Sequence, residues 1–350
     1  MQDETTLRGS SVRHAAFWGV VAASLVVAGI YVGSRRLRDF DAALVAYAGA
    51  SVFSAFGIGY RYAVWIRRPP TRLYWWRGWQ AFLQRLPANV PKLFVLAWDN
   101  LVAQRFIEKR SRLRWLAHLF IAWGCILAAA VTFPLSFGWI RFESEASAPL
   151  VYDAFVFGFR VFRFASDGPF APLVFNVLDV AALMVLAGIF IALLRRVRDR
   201  GALAVQQLAN DLLPLMLLFA VSVTGLFLTF STHMMRGIHY AFLSELHAVT
   251  VIFTLLYLPF GKFFHVFQRP AQLSIKFYKA AGKKSGEARC ARCGLGFATV
   301  LHIADLKKVE AALAIRYDAA SVHYQDVCPA CRRKMVAIAQ DGLWRVGADS

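Results

Sequence analysis

Residues 171–194 read APLVFNVLDVAALMVLAGIFIALL, a run of 24 residues with a single charged side chain, Asp179. A helix of this length rises roughly 36 Å, which is enough to cross a hydrocarbon layer about 30 Å thick. Four arginines follow directly, within residues 195–200. Positive charge beside a membrane span is typical of its cytoplasmic end. The stretch therefore predicts a transmembrane helix whose C-terminal end lies inside.

The same pattern recurs in five other apolar blocks, at 14–33, 42–66, 114–140, 211–231 and 239–265. Hydrophobic residues make up 58% of the chain, against roughly 45–50% in soluble domains. The net charge of +19 reflects basic residues that cluster beside the blocks, which indicates membrane topology rather than nucleic-acid binding. The sequence thus predicts an all-α integral membrane protein of about six transmembrane helices, with no nucleic-acid partner.

The basic stretches also predict the organisation of the chain. They lie at 67–114, at 195–208 and after Arg269, which places both termini on the cytoplasmic side. Residues 1–66 are then two N-terminal transmembrane helices, and residues 67–113 are a cytoplasmic segment in which tryptophans alternate with basic residues. Such a mixture suits a helix at the lipid headgroups, or a platform on which a cytoplasmic partner docks. The phenylalanine-rich segment 142–170 is expected to lie along the outer membrane surface.

Histidines within the apolar blocks are the first candidates for chemistry. His118 lies in the third block, His247 and His265 lie in the sixth, and His233 borders the outer turn before it. An ionisable side chain inside a membrane is costly and is therefore a functional candidate, although a histidine can also simply bond to a neighbouring helix. His247 and His265 are 18 residues apart, which on one helix places both rings on the same face, about 27 Å apart. Redox centres stacked in this way can move electrons across a bilayer.

The depths of His118 and His265 predict that they face each other. His118 lies six residues after Arg112, and His265 lies four residues before Arg269, on helices that run in opposite directions. Two neutral imidazoles on facing helices are the usual ligands of a low-spin haem in a helix bundle. We therefore expect a four-helix haem b bundle over residues 114–270. The basic residues close enough in sequence to pair with haem propionates are Arg112, Arg114, Lys262 and Arg269.

Three stretches resemble a known family: RLRWLAHLFIAWG (112–124), PLMLLFAVSVTGLFLT (214–229) and ELHAVTVIFTLLYLPFGKFFHVF (245–267). They are similar to the membrane cytochrome b subunits of the respiratory nitrate reductase gamma type, and to the related membrane cytochromes of dissimilatory sulfite-reductase and heterodisulfide-reductase complexes. The resemblance covers roughly residues 95–270 and rests on the Arg-Trp-x-x-His motif, the Thr224-Gly225 break and the 18-residue histidine spacing.

The resemblance implies a set of ligands and a function. In that family two haems b are held by two histidines on one helix and by two, 18 residues apart, on another. His247 and His265 match the later pair, and His118 matches the inner histidine of the earlier helix. Quinol is oxidised near the outer haem, and electrons pass to an iron–sulfur subunit docked inside, in the cytoplasmic membrane of a bacterium or archaeon.

The sequence departs from the family at Ala128, where the outer histidine of the earlier helix is expected. Alanine cannot bind iron, so either the outer haem is absent or His247 takes its partner from elsewhere. His233 is the other candidate carried on a helix, but it is expected nearer the outer surface than His247. One haem is therefore expected, and a second depends on that pairing.

Four of the five cysteines form two CxxC pairs, Cys290 with Cys293 and Cys328 with Cys331, separated by 34 residues. Two such knuckles supply four thiolates to one metal. The sequence predicts a small zinc-ribbon-like domain over residues 281–350. A mononuclear iron site resembling rubredoxin is the alternative, although Arg332, Arg333 and Lys334 replace the glycine expected after its second knuckle. The fifth cysteine, Cys125, is expected to be an inert packing residue in a span.

These observations predict a haem b membrane subunit of a quinone-linked respiratory oxidoreductase complex. Such a subunit passes electrons between the quinone pool and iron–sulfur or catalytic redox subunits on the cytoplasmic side. Glu245, two residues before His247, is a candidate to accept a quinol proton, or else it bonds within its own helix. The alternative function is a non-haem transporter or scaffold with a regulatory zinc ribbon.

Overall fold

A computed structural model describes residues 2–145, 148–199, 201, 207–315 and 322–348. Parts of the predicted outer segment, of the basic loop at 195–208 and of the C-terminal domain lie outside the described residues; they are 146–147, Arg200, 202–206, 316–321 and 349–350. Within the described ranges, six helices are long and apolar enough to cross a membrane, which confirms the predicted number of spans.

The helices follow one another in chain order as α1 (Gln2–Gly33), α2 (Val45–Arg67), α3 (Pro69–Leu83), α4 (Leu86–Ala97), α5 (Arg105–Glu108), α6 (Arg112–Ser136), α7 (Phe170–Phe175), α8 (Val177–Arg198), α9 (Leu213–Met234), α10 (Tyr240–Tyr257), α11 (His265–Ala271), α12 (Leu273–Lys284), α13 (Val300–Ala312) and α14 (Pro329–Ala348). The strands are β1 (Ile140–Glu145), β2 (Ala148–Val156), β3 (Phe159–Ala165), β4 (Glu287–Arg289) and β5 (Gly296–Thr299). The six candidate spans are centred on α1, α2, α6, α8, α9 and α10.

The chain divides into two compact units. The first comprises residues 1–64 and 98–269, and the second comprises residues 65–97 and 270–350. The predicted cytoplasmic segment 67–113 is thus divided between them. Helices α3 and α4 belong with the C-terminal cysteine domain, whereas α5 belongs with the spans.

In the first unit, small residues let α6 and α8 pack closely. A side chain added at Gly188 would place its Cβ 2.7 Å from the carbonyl oxygen of Ala117 on α6, and one at Gly124 would meet Val185 at 2.7 Å. Close backbone approach at small residues is typical of helix packing in membranes, where van der Waals contact replaces the hydrophobic effect. A buried cluster then joins α1, α2 and α10 to the end of α6 through Ile30, Tyr47, Ala50, Phe137 and Leu255.

The phenylalanine-rich segment after α6 is a three-stranded antiparallel sheet, in the order β1–β2–β3. An all-α protein was predicted, so this part of the fold class was wrong. Phe162, Arg163 and Phe164 of β3 alternate between aromatic and charged side chains, as expected on a strand. Phe164 packs with Ala154 and Ala171 in a small core, and Arg163 pairs with Asp153 at 2.7 Å. The Arg163 side chain holds the pKa of Asp153 below its usual value.

The sixth apolar block is also not one helix. Helix α10 ends at Tyr257, a short 3₁₀ turn covers Lys262–Phe264, and His265 begins a separate helix. Proline at 259 cannot donate to the helical ladder, and Pro259 and Gly261 lie within the intervening turn. The prediction that His247 and His265 share one helix face was therefore wrong.

The second unit is built on α3 and α12. Gly78 of α3 lies against the backbone of Ser274, and the rings of Phe82 and Phe277 meet with their centroids 5.1 Å apart. Asp305 of α13 is fully buried and accepts hydrogen bonds from Arg77 at 2.9 Å and from the Tyr278 hydroxyl at 3.1 Å. A buried carboxylate needs such partners, so the first helix of the loop after the second span is bonded to the cysteine domain.

Helix α4 carries an exposed apolar stripe. Asn89 faces inward and donates to the carbonyls of Ala81 and Phe82, at 3.1 Å and 2.9 Å. On another face Leu86, Val90 and Phe94 recur every four residues and are 45%, 37% and 72% exposed. The chain leaves the second candidate span shortly before α3, at Arg67, and enters the third at Arg112. The stripe is thus the part of the segment best suited to the predicted contact with lipid.

A photoreactive phenylalanine analogue at Phe94 tests the lipid contact against docking of a partner. We expect the analogue to form cross-links to phospholipid in native membranes, severalfold more than the same analogue at Lys92. Lys92 is the matched control because it is exposed on the same helix but points about 160° away. Mass spectrometry of the adducts is the measurement. Adducts to another protein at position 94 would instead support the docking platform.

Candidate functional site: a histidine pair and a four-cysteine centre

The structure brings His118 and His265 together. His118 lies in the second turn of α6, and His265 is the first residue of α11. Their ring centroids are 6.1 Å apart, and the ring planes are inclined at 67°. Both side chains are half-buried. The sequence predicted that a continuous helix would bring His265 to His118. In the structure, the turn after α10 places it there.

The Nδ1 atom of each ring in this pair is hydrogen-bonded to a carbonyl oxygen. His118 Nδ1 lies 2.6 Å from the Oε1 of Gln104, and His265 Nδ1 lies 2.5 Å from the carbonyl oxygen of Lys262. A carbonyl oxygen only accepts, so the proton of each neutral ring resides on Nδ1 and the lone pair on Nε2. A hydrogen bond at one ring nitrogen is the usual support for a histidine that binds metal through the other.

Gln104 was not among the predicted site residues. It is 5% exposed and has a left-handed backbone conformation with φ of 52°. Two tryptophans of α6 fix the backbone just before Gln104. The indole of Trp115 donates to the carbonyl of Ala103 at 2.7 Å, and that of Trp123 donates to the carbonyl of Val102 at 3.2 Å. No motif in the sequence indicates this role, because the burial of Gln104 and its contact with His118 arise only from tertiary packing.

The separation of the two rings fits one metal atom between them. Metal–nitrogen bonds of about 2 Å, with about 1 Å from each nitrogen to its ring centre, would set the two centroids about 6 Å apart. Burial keeps the pKa of His265 below its usual value, and the positive charges of Arg269 and Lys262 act in the same direction. The neutral ring that a metal requires is therefore favoured. The residues present fit a bis-histidine haem iron.

The predicted propionate partners differ in their surroundings. Arg269 is close enough for its charge to act on both histidines, and its guanidinium lies over the Phe106 ring, 4.3 Å from the centroid. Lys262 is paired with Asp211 at 2.7 Å. Arg112 and Arg114 are exposed in the first turn of α6, and neither forms an ion pair within the described part of the chain. Arg269 is therefore the best placed of the four.

His247 has a different partner from the one considered for it. Its Nδ1 lies 2.9 Å from the hydroxyl of Thr224 on α9, and this hydroxyl donates to the carbonyl of Ala220 at 2.7 Å. A Cβ added at Gly225 would lie 3.3 Å from the His247 ring. Helix α9 runs unbroken through Thr224 and Gly225. The Thr224 hydroxyl is hydrogen-bonded to His247, and Gly225 leaves room for the imidazole ring.

His233 and Glu245 are not brought to His247. His233 is exposed and bonds through Nδ1 to the carbonyl of Thr229 at 3.0 Å. It lies nine residues beyond Thr224 on α9, a separation of about 13 Å along the helix. Glu245 is exposed on α10 and has neither a hydrogen bond nor an ion pair within the described residues. The structure thus supplies His247 with a supporting hydroxyl but with no second imidazole.

The second unit contains a four-cysteine centre. The sulfur atoms of Cys290, Cys293, Cys328 and Cys331 all lie within 4.8 Å of one another. The Cys293 and Cys328 sulfurs are 3.8 Å apart, close to the edge of a tetrahedron built on metal–sulfur bonds of roughly 2.3 Å. This cluster can hold one metal ion such as zinc. It is the only group of this kind among the residues that the structure describes.

Backbone N–H groups support the sulfur atoms. Cys290 Sγ accepts from the N–H of Cys328 at 3.2 Å and from that of Arg292 at 3.4 Å. The first of these bonds is the main reason why the pKa of Cys290 falls to about 6. A thiolate, the form that binds metal, is therefore favoured at neutral pH.

The two knuckles lie on different elements. The first is the turn of the β4–β5 hairpin, closed by a bond from the N–H of Gly294 to the carbonyl of Cys290. Gly294 has φ of +72°, a conformation that favours glycine. The second knuckle, Cys328 to Cys331, opens helix α14. The predicted zinc ribbon has a hairpin at its first knuckle, but a helix follows the second.

Arg332, which counted against an iron site in the sequence, braces the second knuckle. It donates to the carbonyl of Val327 at 2.7 Å and to the side chain of Gln325 at 2.8 Å, and it lies over the Tyr324 ring. Three of the cysteines are buried, whereas Cys293 is exposed. Three of the four ligands are thus shielded from solvent, and the site is accessible to solvent at Cys293. Cys125 lies in the α6 span and is not one of these four cysteines.

Comparison of the chain with family models, with curated proteins and with solved structures finds no match.

Substitution of the cysteines tests the centre. We expect one metal ion per chain in the intact protein, and loss of most of that metal in Cys290→Ser and Cys328→Ser, because each removes a buried ligand. Cys125→Ser is the matched control and should retain the metal. Elemental analysis of the purified protein measures the content and distinguishes zinc from iron. Full metal content in both ligand variants would contradict the assignment.

Proposed function

We propose that this protein is a haem b membrane subunit of a quinone-linked respiratory oxidoreductase complex. The observation that supports the proposal most is the pairing of His118 with His265. Their ring centroids are 6.1 Å apart, a separation that fits one metal atom between the rings. Both Nδ1 atoms are hydrogen-bonded to an oxygen. A haem iron between them would supply a one-electron carrier.

Different residues would orient the haem ligands, neutralise a propionate and accept the quinol proton. Gln104 and the Lys262 carbonyl fix the orientation of the two rings, and Arg269 offers positive charge for a propionate. Glu245, exposed on α10, is the carboxylate available to accept a proton from quinol. One haem is proposed, since His247 has a hydroxyl rather than a second imidazole beside it.

The proposed location is the cytoplasmic membrane of a bacterium or archaeon, with both termini inside. There the four-cysteine centre would lie on the side of the soluble redox subunits that exchange electrons with this subunit. The metal in that centre is proposed as zinc, with mononuclear iron as the alternative.

A second candidate function is a non-haem membrane transporter or scaffold in which the cysteine centre regulates or binds. The specific observation in its favour is that Arg332, next to Cys331, is hydrogen-bonded to Val327 and Gln325, as expected of a structural metal site. Haem content separates the two candidates.

The reduced-minus-oxidised visible spectrum of the purified protein is the decisive measurement. We expect a b-type band and about one haem per chain, both lost in His118→Ala and in His265→Ala because each variant removes an iron ligand. His233→Ala should keep the band, and His239→Ala is an exposed histidine control. Gln104→Ala should retain haem but bind it about tenfold more weakly, as expected when the support of a ligand is removed.

Two other results would count against the proposal. Protein prepared from haem-replete cells that carries no haem would overturn the electron-transfer function and leave the scaffold or transporter. A band that survives both His118→Ala and His265→Ala would show that haem binds elsewhere in the chain.

A further inference from the structure

The turn between α10 and α11 contains buried backbone that needs hydrogen-bond donors. Pro259 is among the fully buried side chains, and Phe264 is 2% exposed. The last carbonyls of a helix have no partner within it, and a buried carbonyl without a donor is costly. Side chains that donate to these carbonyls therefore stabilise the turn that leads to His265.

Helix α2 supplies these donors from one face. The hydroxyl of Ser54 bonds to the carbonyl of Leu255. Arg61, two helical turns later, donates through Nη1 to the carbonyl of Pro259 at 2.5 Å and to that of Gly261 at 3.3 Å. Between them, a Cβ added at Gly57 would lie 2.7 Å from the Pro259 side chain. Residues 54, 57 and 61 thus form one surface shaped to the turn.

Arg61 also contacts the residue before His265. Its guanidinium lies over the Phe264 ring, 4.4 Å from the centroid. Such stacking is favourable for arginine because its planar charge is weakly hydrated. One side chain therefore binds both ends of the turn, at Pro259 and Phe264, and the next residue is the histidine that faces His118.

A charged residue at this position is unusual. Arg61 lies within the second candidate span, six residues before its end, and ionisable residues in spans are costly. Within the described part of the chain it forms no ion pair with a carboxylate. The bonds that offset its cost are those to the turn.

We propose that Arg61 is a positioning residue that holds the turn between α10 and α11 so that His265 faces His118. The inference rests on the proposed haem function for its consequence, and it brings an N-terminal helix into a site that was expected to lie within residues 114–270. The geometry it concerns can also be measured without haem.

The first test is the visible spectrum of Arg61 variants in the full-length protein. Arg61→Met keeps the aliphatic stem but removes all donors, and we expect the fraction of low-spin bis-histidine haem to fall about tenfold, since bonds from charged donors are among the strongest in proteins. Arg61→Gln keeps an N–H donor without charge and should retain an intermediate fraction. Arg67→Met, at the exposed end of the same helix, is the control and should match the unaltered protein.

The second test needs no haem. His118→Cys and His265→Cys are combined and treated with a short bis-maleimide, and the linked peptides are identified by mass spectrometry, which separates them from adducts of the other cysteines. We expect efficient linkage with Arg61 present and about tenfold less with Arg61→Met, the same loss of charged donors being responsible. If that variant does not accumulate, Arg61→Gln carries the comparison and should give an intermediate yield.

The two tests distinguish the two proposals. Linkage that depends on Arg61, together with an unaltered protein whose spectrum shows no haem, would support the positioning role and overturn the haem function. Linkage and spectrum that are both unchanged in Arg61→Met and Arg61→Gln would overturn the positioning role, whether or not haem is bound.

Discussion

The need of buried backbone carbonyls for donors is the constraint on which the histidine pair depends. Helix α10 ends at Tyr257, and the turn that follows is buried at Pro259 and Phe264. Its carbonyls are satisfied by Ser54 and Arg61 of α2 and by the imidazole of His265 itself, which donates to Lys262. A proline–glycine break would otherwise be a weak point in the helix. Here these donors satisfy the carbonyls of the turn that leads to His265.

The same constraint acts on the other side of the pair. The chain between α4 and α5 contains a π-helical turn, Trp98–Val102, followed by Gln104 in a left-handed conformation. Its carbonyls accept from the indoles of Trp115 and Trp123. Irregular backbone of this kind is tolerated near a membrane span where side chains satisfy it. Both histidines are therefore oriented by irregular segments fixed to neighbouring helices, and regular helix geometry alone would not have produced the pair.

The spans could be predicted from the sequence because an uncharged apolar run of about twenty residues is rare outside membrane helices. The remaining features were missed for physical reasons. The alternation of aromatic and charged residues in β3 covers only Phe162 to Phe164, which is too short to give a clear period of two. The phenylalanine content of the segment suggested only contact with a membrane surface. The 18-residue spacing of His247 and His265 matched one helix face, yet Pro259 and Gly261 between them end the helix. Gln104 and Arg61 gave no motif, because their roles depend on partners distant in sequence or on tertiary packing.

The spacing of the cysteines predicts the metal ligands but not the tertiary contacts of the domain that carries them. Two CxxC pairs define the ligands because four thiolates at this spacing are characteristic of a structural metal site, but they do not define what the centre is attached to. Asp305 of α13 is fully buried, and its charge is offset by Arg77 of α3 and the hydroxyl of Tyr278. Removing one partner of a buried charge leaves the other uncompensated. The loop after the second span and the C-terminal domain therefore depend on each other for folding, although residues 98–269 separate them in the sequence.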